Sequence, residues 1–260
     1  MKKAFSVFII TVALIFIYAP IILLLIFSFT SSRTMGVWSG FSFELYQNLV
    51  SKEQIRKIII DTLILALLSA TVSTVLGTVG AIGIFYNKKW LGKFTKTSSQ
   101  IPVINAEIVT AISLALVFAV VSLGKSYVAL LIGHIVLLTP FVVLSVLPRL
   151  KQMDGSTYEA SLDLGATPTQ ALFKVVLPQI FPGIVSGFLL AITLSLDDYM
   201  ITTYLRPTGF ETISTYVFKA LSKPRNSFLP EMRALSSVLF VIMVVVAVVL
   251  SFKKTKEKNR

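Results

Sequence analysis

The chain has 260 residues, of which 55% are hydrophobic and only 14% are charged. Soluble domains carry about 25% charged residues, so this composition excludes an ordinary soluble enzyme and indicates a membrane protein. The absence of cysteine excludes disulfides and thiolate metal sites, and a single histidine argues against a clustered zinc site. The net charge of +12 would suit nucleic acid or anionic lipid. In a membrane protein, however, basic residues first set the topology, and we expect no nucleic-acid partner.

Six apolar runs are long enough to cross a bilayer as helices, which takes about 20 residues each. They cover residues 5–29, 58–86, 101–123, 127–147, 179–204 and 233–252. The first run follows two lysines without a small-residue cleavage site, so we interpret it as a retained span rather than a signal peptide.

The second run carries a stripe of small residues at steps of four. The stripe consists of Ser69, Ser73, Gly77 and Ala81. Small side chains on one face of a membrane helix allow another helix to approach closely. We therefore predict that this face packs against a neighbouring span.

Lysine and arginine residues predict the orientation, because short cytosolic loops carry an excess of them. The loop 87–96 and the C-terminal tail 253–260 are strongly basic. We therefore expect both termini in the cytosol, the segment 149–178 on the same side, and the loops 30–57 and 205–232 outside. The basic tail is expected to bind lipid headgroups.

The segment 155–184 carries the signals of two short helices outside the membrane. Two of its patterns match the capping box, in which paired side chains satisfy the open N–H groups of a helix start. These pairs are Ser156 with Glu159 and Thr167 with Gln170. Pro168 falls at a first helical position, and Gly165 falls where the first helix should stop. On pattern alone, the segment could also be a structured loop in which Glu159 only caps a helix.

The string EASLDLGATPTQALFKVVLPQIFPGI resembles the EAA loop of the binding-protein-dependent, type I permeases of bacterial ABC importers. The matching positions are Glu159, Ala160, Gly165, Phe173, Leu177, Pro178, Pro182 and Ile184, with Ser161 in place of the family's second alanine. The resemblance implies an all-α integral membrane fold with six transmembrane helices and a pair of cytosolic coupling helices that insert into a separate ATPase subunit. The residues it assigns to this coupling are Glu159, Ala160, Leu162, Gly165, Phe173 and Pro178.

The resemblance also implies a division of the chain. We expect an N-terminal helix and external loop at 1–57, a permease core at 58–252 and a basic cytosolic tail at 253–260. Gly124-Lys125-Ser126 is the nearest approach to a phosphate-binding loop, but Ala119 stands where that motif needs its first glycine. We therefore expect no ATPase activity and no cofactor in this chain, with ATP and Mg²⁺ bound by the partner subunit.

Carboxylates inside membrane spans are costly and mark either a pathway or a paired site. The apolar runs carry Asp61, Glu107, Asp197 and Asp198. Adjacent residues on a helix point about 100° apart, so Asp197 and Asp198 border one cavity only if it is wide or the helix is locally irregular. Ser195 and Thr202 lie one turn on either side of Asp198 and would extend a polar face.

An alternative assigns these carboxylates to ordinary ion pairs. Arg206 would then pair with one residue of the Asp197–Asp198 pair, and Lys57 would pair with Asp61 one turn away. The single histidine, His134, is interpreted as a hydrogen-bonded packing residue rather than a proton carrier.

Fixed carboxylates in a water-filled path select cations, and aromatic rings such as Tyr199 and Tyr204 could add cation–π contacts. Over nearly its full length the chain is similar to the PotC-type permease subunits of spermidine/putrescine importers. The stretches that carry this similarity are YAPIILLLIFSF, VINAEIVTAISL, the EAA loop and SLDDYMITTYL. The similarity implies a heterodimer with a sister permease, two copies of a cytosolic ATPase and an extracytoplasmic polyamine-binding protein.

Other interpretations stay open from the residues. The cargo could be another small cationic or zwitterionic solute, such as an opine or an aminophosphonate. The protein could also be a proton-coupled secondary transporter whose aspartate pair carries protons. An intramembrane aspartyl protease is disfavoured, because its two carboxylates must face each other. The external stretches 38–49 and 213–230 mix aromatic and basic residues, which suits either a docking surface for a binding protein or an interfacial aromatic belt.

Overall fold

A computed structural model describes residues 2–32, 36–86, 106–222 and 230–258. In these ranges the chain is helical apart from its connections and one isolated β-bridge between Thr30 and Phe41. The helices are α1 Lys2–Phe27, α2 Glu44–Ser51, α3 Glu53–Tyr86, α4 Glu107–Val120, α5 Tyr127–Gln152, α6 Gly155–Asp163, α7 Pro168–Ala171, α8 Leu177–Asp197, α9 Met200–Leu205, α10 Ile213–Leu221 and α11 Glu231–Lys258. A π-helical turn, Leu172–Val176, joins α7 to α8.

The predicted membrane character is confirmed by the length and composition of the helices. Among the described residues, four helical stretches are long and apolar enough to cross a bilayer. They are Phe5–Phe27, Glu53–Tyr86, Tyr127–Gln152 and Pro168–Asp197. Helix α4 is a shorter apolar helix, and residues 101–105, where the third span was predicted to begin, lie outside the described residues. Helix α11 covers the sixth predicted span and continues through residue 258.

The chain divides into two compact units. The first contains Met1–Lys57 and Lys219–Arg260, and the second contains Ile58–Phe218. In the first unit, α11 packs against both α1 and α2. There the buried Glu231 carboxylate accepts a hydrogen bond from Lys52 Nζ at 2.5 Å, which ties the start of α11 to the end of α2.

The core of the second unit is centred on α5, which packs most extensively against α8. Ala70 and Ala81 of α3 and Ile180 and Ala191 of α8 bury their side chains in the same cluster as Val142 of α5. The predicted small-residue stripe of α3 is buried along its length. A Cβ atom at Gly77 would lie only 2.6 Å from the Cβ of Val142, so this glycine sets the approach of α3 to α5. The predicted close packing of the stripe is thus confirmed.

Candidate functional site

The fifth membrane segment is broken at its end. Helix α8 stops at Asp197, Asp198 takes an extended backbone conformation (φ −61°, ψ 124°), and α9 starts at Met200. The prediction of one continuous helix over 179–204 is therefore wrong. The reason is local: the Asp198 carboxylate accepts hydrogen bonds from the backbone N–H groups of Ile201 (3.1 Å) and Thr202 (2.8 Å), which satisfies the start of a new helix.

The break is held by a buried polar cluster around His134 of α5. Its Nδ1 atom lies 2.9 Å from Ser195 Oγ, and its Nε2 atom lies 3.1 Å from Thr202 Oγ1 and 3.4 Å from Asp198 Oδ2. All four residues are at most 3% exposed. The predicted polar face of Ser195, Asp198 and Thr202 therefore comes together, but it faces the protein interior. His134 is buried and hydrogen-bonded, as predicted.

Close approach of α9 to α5 makes this cluster possible. At Gly133, a Cβ atom would lie 2.4 Å from Leu205 Cδ1 and 2.8 Å from Ile201 Cγ2. The residue beside the histidine must therefore be small for α9 to pack at this distance. In the sequence, the small residue beside His134 is compatible with a close helix contact, but it does not reveal which helix or which hydroxyl groups the histidine meets.

Glu107 and Asp197 are the exposed carboxylates next to this cluster. Glu107 is the first residue of α4, which packs against α9, and its carboxyl group faces those of Asp198 and Asp197. The half-buried Tyr199 ring stacks on the ring of Phe218, with centroids 4.1 Å apart. We name Glu107, Asp197, Tyr199 and Phe218 the acidic surface.

The predicted ion pairs explain little of this arrangement. Arg206 donates to the backbone oxygen of Phe210 at 2.6 Å and lies 3.7 Å from Glu211. Arg206 therefore pairs with Glu211 and not with Asp197 or Asp198, and this part of the alternative is wrong. Asp61 lies elsewhere in the second unit, at an apolar cavity of about 200 Å³ that is also lined by Tyr127 and Phe210. The structure thus brings Glu107, Asp197, Asp198, Ser195 and Tyr199 together and leaves Asp61 apart.

Helix α6 is capped differently from the prediction. Its N-cap is Asp154, whose Oδ1 accepts hydrogen bonds from the backbone N–H (3.0 Å) and hydroxyl (2.8 Å) of Ser156. The predicted Ser156–Glu159 capping box is therefore wrong, because the carboxylate directly before Gly155 already satisfies the helix start. These two donors lower the pKa of Asp154 below its usual value. This contribution to the cap is complete at neutral pH and is lost as the pH falls through that lowered pKa.

The C-terminal end of α6 confirms the role predicted for Gly165. This residue has φ +86°, its N–H donates to Leu162 O at 2.9 Å, and the N–H of Ala166 donates to Ser161 O at 3.0 Å. Those two hydrogen bonds form a Schellman motif, which needs a left-handed residue that glycine adopts without steric cost.

Helix α7 starts as predicted. Thr167 and Gln170 form a complete capping box, with Pro168 in the first turn. From Pro168 the helical path runs through the π turn directly into α8 and ends at Asp197. The predicted second coupling helix is therefore the first part of the fifth membrane segment.

The segment formed by α6, α7 and the π turn presents an exposed surface. Glu159, Ala160 and Pro178 are exposed, Leu164 is 89% exposed and Phe173 is 62% exposed. Leu162 is half-buried, and α6 contains no fully buried residue. Large exposed apolar side chains beside a polar, well-capped helix are typical of a surface that binds another protein.

The Gly124-Lys125-Ser126 tripeptide forms a turn before α5. Gly124 has φ +55°, and the Ser126 hydroxyl accepts a hydrogen bond from Ala129 N at 3.1 Å as the N-cap of α5. The tripeptide thus serves a helix start in an apolar bundle, which is not the strand–loop–helix setting that phosphate binding requires. In the described residues, no group of three or more metal-ligating side chains is present.

Long apolar helices, carboxylates at a helix break and an exposed pair of capped helices are features expected of the membrane component of a transport system. Comparison with known proteins places this class more narrowly. The chain belongs to the family of binding-protein-dependent transport system inner membrane components, whose family model matches residues 1–253. It is therefore a transport component of the inner membrane rather than an enzyme.

Two relatives and one solved structure illustrate the similarity. The chain is 31% identical over 248 residues to the putrescine transport system permease protein PotI of Escherichia coli, covering 92% of this chain and 86% of PotI. It is also 31% identical to the spermidine/putrescine transport system permease protein PotC of Haemophilus influenzae, covering 94% and 93%. A bacterial ABC transporter that imports the acidic polysaccharide alginate contains a chain with the same fold, at a TM-score of 0.76, 15% identity and 95% coverage of both chains.

Proposed function

We propose that this chain is the permease subunit of an ATP-driven importer of polyamines such as spermidine and putrescine. The observation that carries the proposal is the acidic surface, where two exposed carboxylates stand beside a stacked aromatic pair at the broken end of a membrane segment. The relatives named above, which are 31% identical to this chain, are permeases for putrescine and for spermidine/putrescine, and they support the same cargo. The fold does not choose the cargo, because a chain of the same fold serves a transporter of an acidic polysaccharide.

The chemistry of the acidic surface suits a flexible polycation. Carboxylates form charge-assisted hydrogen bonds with ammonium groups, and an aromatic face attracts a cation that passes over it. Glu107, Asp197 and Tyr199 are the accessible members of the predicted pathway and are proposed to contact cargo. Asp198 and Ser195 support them from inside the protein, and Asp61 is proposed to act at a separate position along the path.

The exposed segment from α6 through the π turn, residues 155–176, which we name the coupling segment, supports the proposed partners. A cytosolic ATPase dimer would bind ATP and Mg²⁺ and contact this chain through the exposed Glu159, Ala160 and Phe173, with Leu162, Gly165 and Pro178 holding the shape of the segment. A sister permease would complete the membrane pathway as a heterodimer, and an extracytoplasmic binding protein would deliver the polyamine. No cofactor is proposed for this chain itself.

The proposed orientation puts both termini in the cytosol of a bacterial cell. Arg149 and Lys151 just before the coupling segment and Lys174 within it support this orientation, because cytosolic loops carry an excess of basic residues. The lysines of the loop 87–96 belong to the same argument but lie outside the described residues. In this orientation the coupling segment faces the ATPase, and the acidic surface lies toward the external end of the fifth segment.

The proposed transport cycle is alternating access. A loaded binding protein docks outside, ATP closes the ATPase dimer, and the coupling segment transmits that closure so that the pathway opens outward. Hydrolysis then returns the pathway to the cytosolic side. Another small cationic or zwitterionic solute is the alternative cargo, and a proton-coupled carrier is the alternative class. The latter would not need the exposed segment at α6 and α7.

Uptake of labelled spermidine and putrescine tests the cargo. Cells that lack their own importer would carry the complete operon with the wild-type chain, Asp197→Asn or Glu107→Gln. We expect saturable uptake by the wild type and a KM raised about tenfold or more in each variant, since a hydrogen bond to a charged group contributes about 1.5–3 kcal/mol.

Glu53→Gln is the matched control, because Glu53 is also an exposed carboxylate at a helix start but lies at the beginning of α3. Its KM should equal that of the wild type. If the wild type takes up neither polyamine although the protein is in the membrane, the cargo is wrong. If Asp197→Asn and Glu107→Gln both keep the wild-type KM, the acidic surface is not the cargo site.

A further inference from the structure

The buried cluster around His134 contains a chain of hydrogen-bonding groups that reaches from α3 to α9. Ser69 Oγ donates to Leu65 O at 2.7 Å and lies 3.2 Å from Ser195 Oγ. Ser195 Oγ lies 2.9 Å from His134 Nδ1. On the other side of the ring, Thr202 Oγ1 lies 3.1 Å from Nε2 and donates to Asp198 Oδ2 at 2.7 Å.

Each hydroxyl group has only one hydrogen to donate, which restricts how this chain can be satisfied. The Thr202 hydrogen goes to Asp198, so Thr202 Oγ1 must accept from His134 Nε2. At the other end the Ser69 hydrogen goes to Leu65 O, so the contact between Ser69 and Ser195 needs the Ser195 hydrogen. Ser195 Oγ must then accept a hydrogen from His134 Nδ1. Every contact is a hydrogen bond only when both ring nitrogens carry hydrogen.

We propose that His134 is a positively charged positioning residue, which holds the Asp198 carboxylate inside the protein and thereby fixes the break between α8 and α9. The charges around it fit this assignment. Among the described residues, the Asp198 carboxylate faces His134 directly, and the carboxyl group of Glu107 faces those of Asp198 and Asp197. Neighbouring carboxylates repel each other, and a buried cation among them offsets that repulsion.

Holding Asp198 inside has a consequence for its neighbour. Because the chain turns at Asp198, Asp197 is exposed while the side chain of Asp198 is fully buried. His134 therefore decides which of two adjacent aspartates reaches the acidic surface. This consequence rests on the proposed function, whereas the charge of His134 and its pairing with Asp198 do not.

The charge is measured by solid-state NMR of the assembled importer with ¹⁵N-labelled histidine. This chain has one histidine, so the signal that disappears in the His134→Gln variant belongs to His134. We expect two protonated ring nitrogens at neutral pH. One protonated and one bare nitrogen would overturn the proposal.

Thermal unfolding of the assembled importer tests the pairing. His134→Gln leaves the buried Asp198 without a cation and should lower the unfolding midpoint by several degrees. Asp198→Asn added to it removes the stranded charge and keeps a side-chain oxygen that can cap α9. We therefore expect the double variant to unfold at a higher temperature than His134→Gln alone. A double variant that is no more stable than His134→Gln would show a packing role and overturn the proposal.

Uptake completes the test. His134→Gln should raise the KM for spermidine severalfold, and the added Asp198→Asn should recover part of that change. If the wild type does not transport polyamines, the proposed function fails, and the NMR and unfolding measurements still decide the role of His134. If polyamine uptake is normal and His134→Gln leaves KM unchanged, the link from His134 to the acidic surface is overturned.

Discussion

Replacing Gly165 with valine is expected to reduce ATP-coupled uptake at least tenfold while the protein remains in the membrane. Gly165 has φ +86°, and no atom lies within 4 Å of the position that a Cβ would occupy. The substitution therefore creates no packing clash, and its effect comes from the backbone. A residue with a Cβ pays about 1–2 kcal/mol in the left-handed region, and a β-branched residue is a genuine outlier there. The Schellman turn that orients α6 against α7 should be lost.

Uptake and ATP hydrolysis by the complete importer in proteoliposomes check this prediction. Hydrolysis should continue but no longer drive transport, because α6 would be wrongly oriented for its proposed contact with the ATPase. Gly155→Ala is the matched control, since Gly155 also has open space at its Cβ position but no positive φ. Glu159→Lys, which changes the exposed face of α6 and leaves the turn intact, should also uncouple transport. Normal coupled uptake by both Gly165→Val and Glu159→Lys would contradict the coupling role and favour a carrier that needs no ATPase.

Replacing Gly77 with alanine is expected to destabilise the helix bundle by about 1–3 kcal/mol, the usual cost of overpacking. The new Cβ would lie 2.6 Å from Val142 Cβ, 2.7 Å from Val142 Cγ1 and 3.1 Å from the backbone oxygen of Thr139. Valine is stiff at χ1, and the other contact is with backbone, so neither neighbour moves aside easily. The helices α3 and α5 must separate.

Gly83→Ala provides the control on the same helix, because no atom lies within 4 Å of its Cβ position. Alanine is favoured over glycine in a helix by about 1 kcal/mol, so Gly83→Ala should leave stability equal or higher. The measurement is the thermal unfolding midpoint of the purified importer with each variant. Equal midpoints for the two variants would show that α3 and α5 do not approach as closely as described.

The sequence predicted the apolar helices and the helix boundaries at Gly165 and Thr167 well, because both depend on signals that are local. Apolar length identifies a span, and Thr167, Pro168 and Gly165 carry cap and stop signals within a few residues of their partners. The cap of α6 was predicted at Ser156 because its spacing to Glu159 matched a known box. In the structure the N-cap is Asp154, two residues earlier, whose carboxylate accepts a hydrogen bond from the Ser156 N–H.

The helix break at Asp198 could not be predicted from the sequence, for a physical reason. The run 179–204 has no glycine or proline near residue 198, so hydropathy reads it as one helix. The break is stabilised because the Asp198 carboxylate accepts a hydrogen bond from Thr202 on the next helix turn and also contacts His134 on α5. The second partner lies 64 positions away, and only the packing of α9 against α5 brings it into reach. A pattern in one segment cannot reveal such a contact.

The uninterrupted helix from Pro168 to Asp197 has a mechanical meaning. Its 30 residues span about 45 Å at 1.5 Å per residue. A tilt of about 5° at one end of such a lever displaces the other end by about 4 Å, which is in the range of known switching motions. The start of the proposed coupling segment and Asp197 thus lie at opposite ends of one helical path. The π turn at Leu172–Val176 lies near the start of this path. A change of helix direction at this turn therefore gives its largest displacement at the far end, at Asp197.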